Sequence, residues 1–133
     1  MKFTIQGVPR GKGRHRTTKT GHTYTDLKTS EYEKMVKWIF KTTCKEPMFL
    51  AHVPLTCEII AYFQRPKSKT KCNINYPTKK PDCDNIEKII CDALNGLAYH
   101  DDSQIVEITT KKRWTTDNPR VEVEIKRKIE VTE

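Results

Sequence analysis

The sequence has no long hydrophobic run. No window approaches the ~20 apolar residues that a membrane-spanning helix needs, and only 35% of the residues are hydrophobic. The opening residues, MKFTIQG, lack the apolar stretch and the small-residue cleavage site of a secretory signal. We therefore expect a cytoplasmic protein that does not associate with membranes.

Paired cysteines are also missing. The five cysteines contain no CxxC pair, and an odd total argues against a disulfide framework. The four histidines, His15, His22, His52 and His100, are scattered and show no paired spacing of the kind that zinc sites use. The sequence predicts reduced thiols, no zinc site and no small-molecule cofactor.

Acidic residues are scarce in most of the chain and concentrated in one part of it. The chain has 25 Lys and Arg against 17 Asp and Glu, a formal net charge of +8. Residues 1–30 hold seven bases and one acid, whereas residues 82–102 hold six acids and one base. The basic excess favours a polyanionic partner, nucleic acid before an anionic membrane. The acidic segment favours a hard metal ion held against a phosphate backbone.

Hydrophobic periodicity predicts one domain of the α/β (α+β) class over residues 1–133. Apolar residues alternate with polar ones at residues 2–7, 55–63, 106–114 and 121–125, which predicts four strands. A turn at residues 115–119 separates the last two, so we expect them to form a C-terminal hairpin. With two helices between the strands, the pattern predicts a small mixed β-sheet with both helices packed on it.

Two helices follow from the spacing of apolar residues. Residues 30–43 carry a stripe at helical spacing, and Ser30 with Glu33 forms a candidate capping box at the start. The second helix is expected to begin at Asp84 as N-cap, with Glu87 completing a second capping box, and to end before Gly96.

Two basic loops flank the acidic segment. Residues 10–22 are Gly-rich and show no periodicity, and residues 64–81 carry six bases and no acid. We expect both to lie along a DNA backbone, although solvated loops would have the same composition. The candidate DNA-binding residues are Lys12, Arg14, Arg16, Lys79 and Lys80.

The acids form a candidate metal site. Asp82 and Asp84 flank the start of the second helix, Lys88 and Asp92 follow Asp84 at one-turn intervals, and the pair Asp101 and Asp102 comes from a separate segment. Carboxylates from two segments are a common way to bind Mg²⁺. Taken singly, each of these acids also has a plain structural interpretation as a helix cap, an exposed ion pair or a polar turn.

The complete constellation resembles the RusA-type crossover (Holliday) junction endodeoxyribonucleases, small proteins often carried by prophages. The resemblance spans nearly the whole chain: FTIQGVP at 3–9, GKGRHR at 11–16, YTDLKT at 24–29, KPDCDNIEK at 80–88, DALNG at 92–96 and DDSQIV at 101–106. The combination of DxDNxxK with a later DDxQ is specific, whereas either half alone is weak. The sequence departs at Cys83, where the family more often has an aliphatic residue.

The resemblance implies a homodimeric, Mg²⁺-dependent endonuclease, with Mn²⁺ as a possible substitute, that makes paired symmetric nicks across four-way junction DNA in recombination and repair. Asp82, Asp84 and Asp102 match the essential acids of the family, Lys88 matches its catalytic lysine, and Asp101 is a neighbour that shares the metal. Leu97, Tyr99 and Trp114 are then expected to contribute to the dimer interface. The alternative from the residues alone is a non-catalytic basic nucleic-acid-binding module, which leaves the acidic cluster unexplained.

Overall fold

The structure is a computed structural model that describes residues 1–13, 16–24, 26–67 and 72–129, without the side chains of Arg16 and Tyr24. The described residues form six strands and two helices. A short 3-10 turn at Asp102–Gln104 directly precedes the fifth strand. In chain order they are β1 Lys2–Gln6, β2 Arg16–Thr17, β3 Thr23–Tyr24, α1 Leu27–Thr43, β4 Leu55–Gln64, α2 Cys83–Leu94, β5 Ile105–Thr115 and β6 Arg120–Arg127.

Four strands form a mixed sheet in the order β1-β6-β4-β5. Strand β4 is central: it pairs in parallel with β5 and antiparallel with β6, and β1 pairs antiparallel with β6. The mixed sheet with two helices confirms the predicted fold class. The predicted hairpin is wrong, because β5 and β6 lie on opposite sides of β4. Helix α2 joins β4 to β5 as the crossover of a βαβ unit, and this connection makes the two strands parallel neighbours.

Helix α1 begins three residues earlier than predicted. Asp26 is its N-cap residue, and the backbone N–H of Ser30 donates to the Asp26 carbonyl at 3.0 Å as an ordinary helical bond. The capping box of Ser30 and Glu33 is therefore absent, and the Glu33 carboxylate accepts a bond from Lys12 instead. Neither α1 nor any other described helix is long and apolar enough to cross a membrane.

Helix α2 also begins earlier than its predicted cap. The N-cap is Asp82 and makes no side-chain cap bond, whereas Asp84 lies inside the first turn. The predicted end is confirmed, since Asn95 is the C-cap and Gly96 follows with a φ of 81°, in the left-handed region that favours glycine.

One hydrophobic core lies between the helices and one face of the sheet. Alternate residues of β1, β4 and β6 are buried, and they pack with Tyr32, Val36 and Phe40 of α1 and with the apolar stripe of α2. Tyr99 is fully buried in this core, so the expectation that it contributes to a dimer interface is wrong. Its hydroxyl donates to the Cys91 carbonyl at 2.7 Å, which satisfies the polar end of the ring.

The two basic loops are more ordered than their composition indicates. Strand β2 lies within residues 10–22, which were expected to have no regular structure, and pairs antiparallel with β3, which follows that segment. In the second loop, Trp114 Nε1 donates to the Asn73 carbonyl at 3.0 Å and an Arg65 N–H donates to the Ile74 carbonyl at 2.7 Å. Residues 72–76 are thereby held against the ends of β4 and β5.

Candidate active site

An acidic cleft of about 330 Å³ opens between α2 and the start of β5. Its position follows from the βαβ unit, because the crossover helix lies across the strand that it leads into. The cleft is lined by four acids, one base and three less polar residues: Asp84, Glu87, Lys88, Cys91, Asp92, Asp102, Ile105 and Ile108.

Most of the polar lining comes from one stripe of α2. Asp84, Lys88 and Asp92 recur every four residues and so project from the same face, as the sequence predicts. Glu87 shares this face but was interpreted only as a capping residue. Its carboxylate accepts a bond from the Thr110 hydroxyl at 2.8 Å, which fixes it against β5. The spacing i, i+3, i+4 from Asp84 already contained the signal that Glu87 belongs to the site.

Asp102 reaches the cleft from a second segment, the 3-10 turn that precedes β5. The adjacent Gln104 anchors this turn: its amide group donates to the Leu50 carbonyl at 2.9 Å and to the Val53 carbonyl at 3.1 Å. The Gln104 side-chain oxygen accepts bonds from the backbone N–H groups of His100 and Asp101. The half-buried Asp102 is therefore presented to the cleft by a fixed turn.

Asp101 is placed differently from its neighbour. Its carboxylate caps the 3-10 turn, accepting bonds from the Ser103 hydroxyl and from the Ser103 backbone N–H at 3.2 Å. The Ser103 hydroxyl, followed by the backbone N–H, holds the pKa of Asp101 below its usual range. Asp101 does not line the cleft. The structure thus gives it the capping role that was the alternative to a metal ligand.

Asp82 is exposed at the start of α2, outside the lining of the cleft. Its carbonyl accepts the first helical bonds, from the N–H groups of Asn85 and Ile86, each at 3.1 Å. The neighbouring Cys83 thiol donates to the Thr110 carbonyl at 3.7 Å. Of the four predicted metal ligands, the structure brings Asp84 and Asp102 into one cavity and leaves Asp82 and Asp101 beside it.

Lys12 lies between the two helices instead of facing solvent. Its ammonium group donates to the Glu33 carboxylate of α1 and lies 3.1 Å from the Asp92 carboxylate of α2. Burial alone would lower the pKa of Lys12, but the bonds to Glu33 and Asp92 outweigh it and raise the pKa above its ordinary value. Lys12 is thus occupied by two carboxylates, whereas the sequence predicted a contact with DNA phosphate.

Of the other candidate DNA-binding residues, only Lys79 and Lys80 have side chains that the structure describes. Arg14 lies outside the described residues, and for Arg16 only the backbone, in β2, is described. Lys79 and Lys80 are exposed in the segment that leads into α2. The Lys79 carbonyl accepts a bond from the Lys112 ammonium at 2.6 Å, which ties this segment to β5.

The charge balance of the cleft favours a bound cation. Lys12 is one ammonium group between two carboxylates, Glu33 and Asp92, so it offsets only part of their charge. The cleft also holds the carboxylates of Asp84, Glu87 and Asp102 against the single ammonium group of Lys88. Lys88 forms no ion pair with any residue that the structure describes. These oxygen donors fit a hard divalent ion such as Mg²⁺. Within residues 1–13, 16–24, 26–67 and 72–129, however, no three potential ligands are close enough to form a ready-made metal cage.

Comparison with known proteins identifies the family of this chain. The family described as Endodeoxyribonuclease RusA matches residues 6–126, which is nearly the whole chain and includes every residue of the cleft. The chain belongs to this family of endodeoxyribonucleases. It is also 33% identical to the uncharacterized protein YqaN of Bacillus subtilis (strain 168), over 95% of each chain.

Proposed function

We propose that this protein is a divalent-metal-dependent endonuclease that resolves four-way DNA junctions by paired nicks, with Mg²⁺ as the physiological ion and Mn²⁺ as a substitute. The observation that carries the proposal is the acidic cleft in a strongly basic chain that belongs to an endodeoxyribonuclease family. A non-catalytic DNA-binding module gives no reason for three carboxylates to surround Lys88, since they would repel the phosphate backbone.

In this proposal Asp84 and Asp102 hold the ion, with Glu87 lining the same cavity and Asp82 joining from the adjacent helix N-terminus. When bound, the ion would supply Lewis-acid polarisation of the scissile phosphate. Lys88 offsets the negative charge that develops on the phosphate, which a positioned cation stabilises more in the transition state than in the ground state. Thr110 fixes the position of Glu87, and Lys12 fixes the position of Asp92; neither Thr110 nor Lys12 contacts the ion or the substrate in this proposal.

We further propose that the active form is a homodimer. Each chain has one acidic cleft, whereas resolving a four-way junction requires cuts in two strands related by a two-fold axis. A C₂ dimer supplies two clefts in that relation. Since Tyr99 is buried in the core, the interface involves other residues.

A cleavage assay on a synthetic four-way junction tests the proposal. With each strand labelled in turn, we expect symmetric nicks in two strands of like polarity in Mg²⁺ or Mn²⁺, products that ligase can seal, and no cleavage in EDTA. Sedimentation should show a dimer under the same conditions. Retention of the junction without cleavage in any metal would instead favour the binding module. If the protein is a monomer and nicks linear duplex as readily as junctions, it is a general nuclease, and the proposed dimer and junction selectivity are both wrong.

Lys88→Ala is expected to lower the turnover rate by about 100-fold with little change in junction affinity, because the ammonium group acts in the transition state. Single-turnover cleavage gives the rate, and gel shift in EDTA gives the affinity. Lys126→Ala, which removes an exposed lysine from β6, is the matched control and should change neither quantity. An equal loss of rate and affinity in Lys88→Ala would make Lys88 a binding residue only.

A further inference from the structure

A second cavity, of about 470 Å³, lies on the other side of the first turn of α2. It is bounded by the segment before β2, the start of α1 and the residues that lead into α2. Its charged lining residues are Arg10, Lys12, Asp26, Lys28 and Lys80.

Three of these cations lack an ion-pair partner among the residues that the structure describes. Arg10, Lys28 and Lys80 form no ion pair with any residue in the described part of the chain, and all three are exposed. Lys12 contributes little charge here, because its ammonium group is held by Glu33 and Asp92. Against the single carboxylate of Asp26, three cations leave a formal excess of two positive charges. Such a cavity attracts an anion.

The walls of the cavity are fixed by close packing. A Cβ atom added at Gly11 would lie 2.8 Å from Pro81 Cβ and 3.0 Å from Asn85 Cβ, so the backbone at Gly11 is in direct contact with the α2 side of the cavity. The Lys12 N–H donates to the Asn85 carbonyl at 2.9 Å, and the Gly13 N–H donates to the Thr29 hydroxyl at 2.9 Å. The segment at residues 11–13 is thus bonded to both helices, which holds Arg10, Lys28 and Lys80 around one space.

The two cavities lie on different sides of the first turn of α2. Asn85 lines the basic cavity, whereas Asp84 and Lys88, its neighbours on α2, line the acidic cleft. A DNA strand that crosses the start of α2 would therefore place one phosphate at the carboxylates and a nearby phosphate among the cations.

We propose that the basic cavity is a subsite for a non-scissile backbone phosphate of the DNA strand, with Arg10, Lys28 and Lys80 as its binding residues. This inference rests on the proposed function, since it takes the bound strand to be the one that is cut. The subsite sets where the strand lies relative to the acidic cleft. Its ligand is a phosphodiester; a free phosphate ion has similar chemistry and must be distinguished by experiment.

The test measures DNA affinity without metal, so that no turnover occurs. Junction binding is followed by fluorescence anisotropy in EDTA across a range of KCl concentrations, for the wild type, Arg10→Gln, Lys28→Gln and the control Lys34→Gln. Lys34 is an exposed lysine of α1 outside the cavity. Each cavity variant should weaken binding and reduce the slope of log K against log salt by up to ~0.9, the effect of losing one whole phosphate contact on duplex DNA. The control should leave the slope unchanged.

Methylphosphonate substitution then locates the phosphate. Neutralising single phosphates near the cleavage position should weaken wild-type binding at one of them, and at that position Lys28→Gln should lose no further affinity. Inorganic phosphate at constant ionic strength should not displace the junction from the wild type. If inorganic phosphate displaces the junction from the wild type but not from Lys28→Gln, the cavity binds a small anion and the proposal is overturned. Unchanged salt slopes in both cavity variants would overturn it as well.

Failure of the subsite and failure of the proposed function give different results. If the protein cuts junctions but the Arg10 and Lys28 variants bind DNA like the wild type, only the subsite is wrong. If the variants show the reduced slopes but no protein cuts DNA in any metal, the cavity binds phosphate and the nuclease proposal is wrong. Thermal melting checks that the variants are folded, which is expected because Arg10 and Lys28 are exposed.

Discussion

Asp84→Asn and Asp102→Asn are each expected to reduce junction cleavage by more than about 100-fold while leaving junction binding intact or tighter. An amide keeps the shape of the side chain but removes the negative charge that holds the metal ion, and the loss of charge also reduces repulsion of the phosphate backbone. Cleavage is measured under single-turnover conditions in saturating Mg²⁺, and binding is measured in EDTA.

Asp117→Asn is a matched control, since Asp117 is an exposed acid in the connection between β5 and β6, away from the cleft. It should cleave at the wild-type rate. Asp82→Asn is expected to lose cleavage too, because the proposed ligand set includes Asp82. Cleavage at the wild-type rate in Asp84→Asn would contradict the site assignment. If Asp82→Asn still cleaves junctions whereas Asp84→Asn and Asp102→Asn do not, the metal ligands are restricted to residues that line the cleft.

Lys12→Met is expected to lower the free energy of unfolding by about 2–3 kcal/mol, because removing one partner of a buried ion pair leaves the other charge uncompensated. The side chains of Lys12 and Glu33 retain only 12% and 16% of their exposure, so solvent screens this pair little. The Asp92 carboxylate, at 34%, is more exposed and contributes less. Urea denaturation monitored by circular dichroism measures the change.

The same variant separates a structural role from a DNA contact. If Lys12 joins the two helices, Lys12→Met should leave the slope of log K against log salt unchanged in junction binding, whereas a lost phosphate contact would reduce it. The double variant of Lys12→Met and Glu33→Gln should recover part of the stability, since it leaves no buried unpaired charge. If Lys12→Met is as stable as the wild type and shows a smaller slope of log K against log salt, Lys12 contacts DNA phosphate and does not have the structural role.

Local sequence signals located the helices but not their first residues. Both predicted capping boxes are absent because each helix begins before its predicted cap, and the glutamate of each pattern has a tertiary partner. Glu33 pairs with Lys12, and Glu87 accepts a bond from Thr110, which is distant in sequence. A capping-box pattern describes contacts within one helix, so it carries no information about a lysine or threonine supplied by another segment.

Strand positions were predictable, whereas strand order was not. Alternation showed which residues of β6 face the core, whereas β5 has no fully buried residue and its Val106 is exposed. Alternation also does not show which neighbour each strand pairs with. The short connection favoured a hairpin, yet the ten-residue β4 is placed between them and pairs with both. A rule of right-handed crossover through α2 would have identified β4 and β5 as parallel neighbours.

The candidate site was predicted in part. Helical spacing singled out Asp84, Lys88 and Asp92, and the family resemblance added Asp102; the structure places all four around one cleft. Glu87 was missed as a lining residue, and the contact of Lys12 with Asp92 could not be predicted because 80 residues separate them in the chain. The basic cavity was missed for the same reason, since Arg10, Lys28 and Lys80 come from three separate segments.

The pairing of the first strand with the last has a consequence for protein synthesis. Strand β1 pairs with β6, and Met1 exchanges backbone bonds of 3.0 and 2.8 Å with Ile125. On the ribosome, β1 must therefore wait for residues 120–127 to emerge, and β4 lacks one of its two neighbours until then. The sheet that supports the acidic cleft is completed only late in translation.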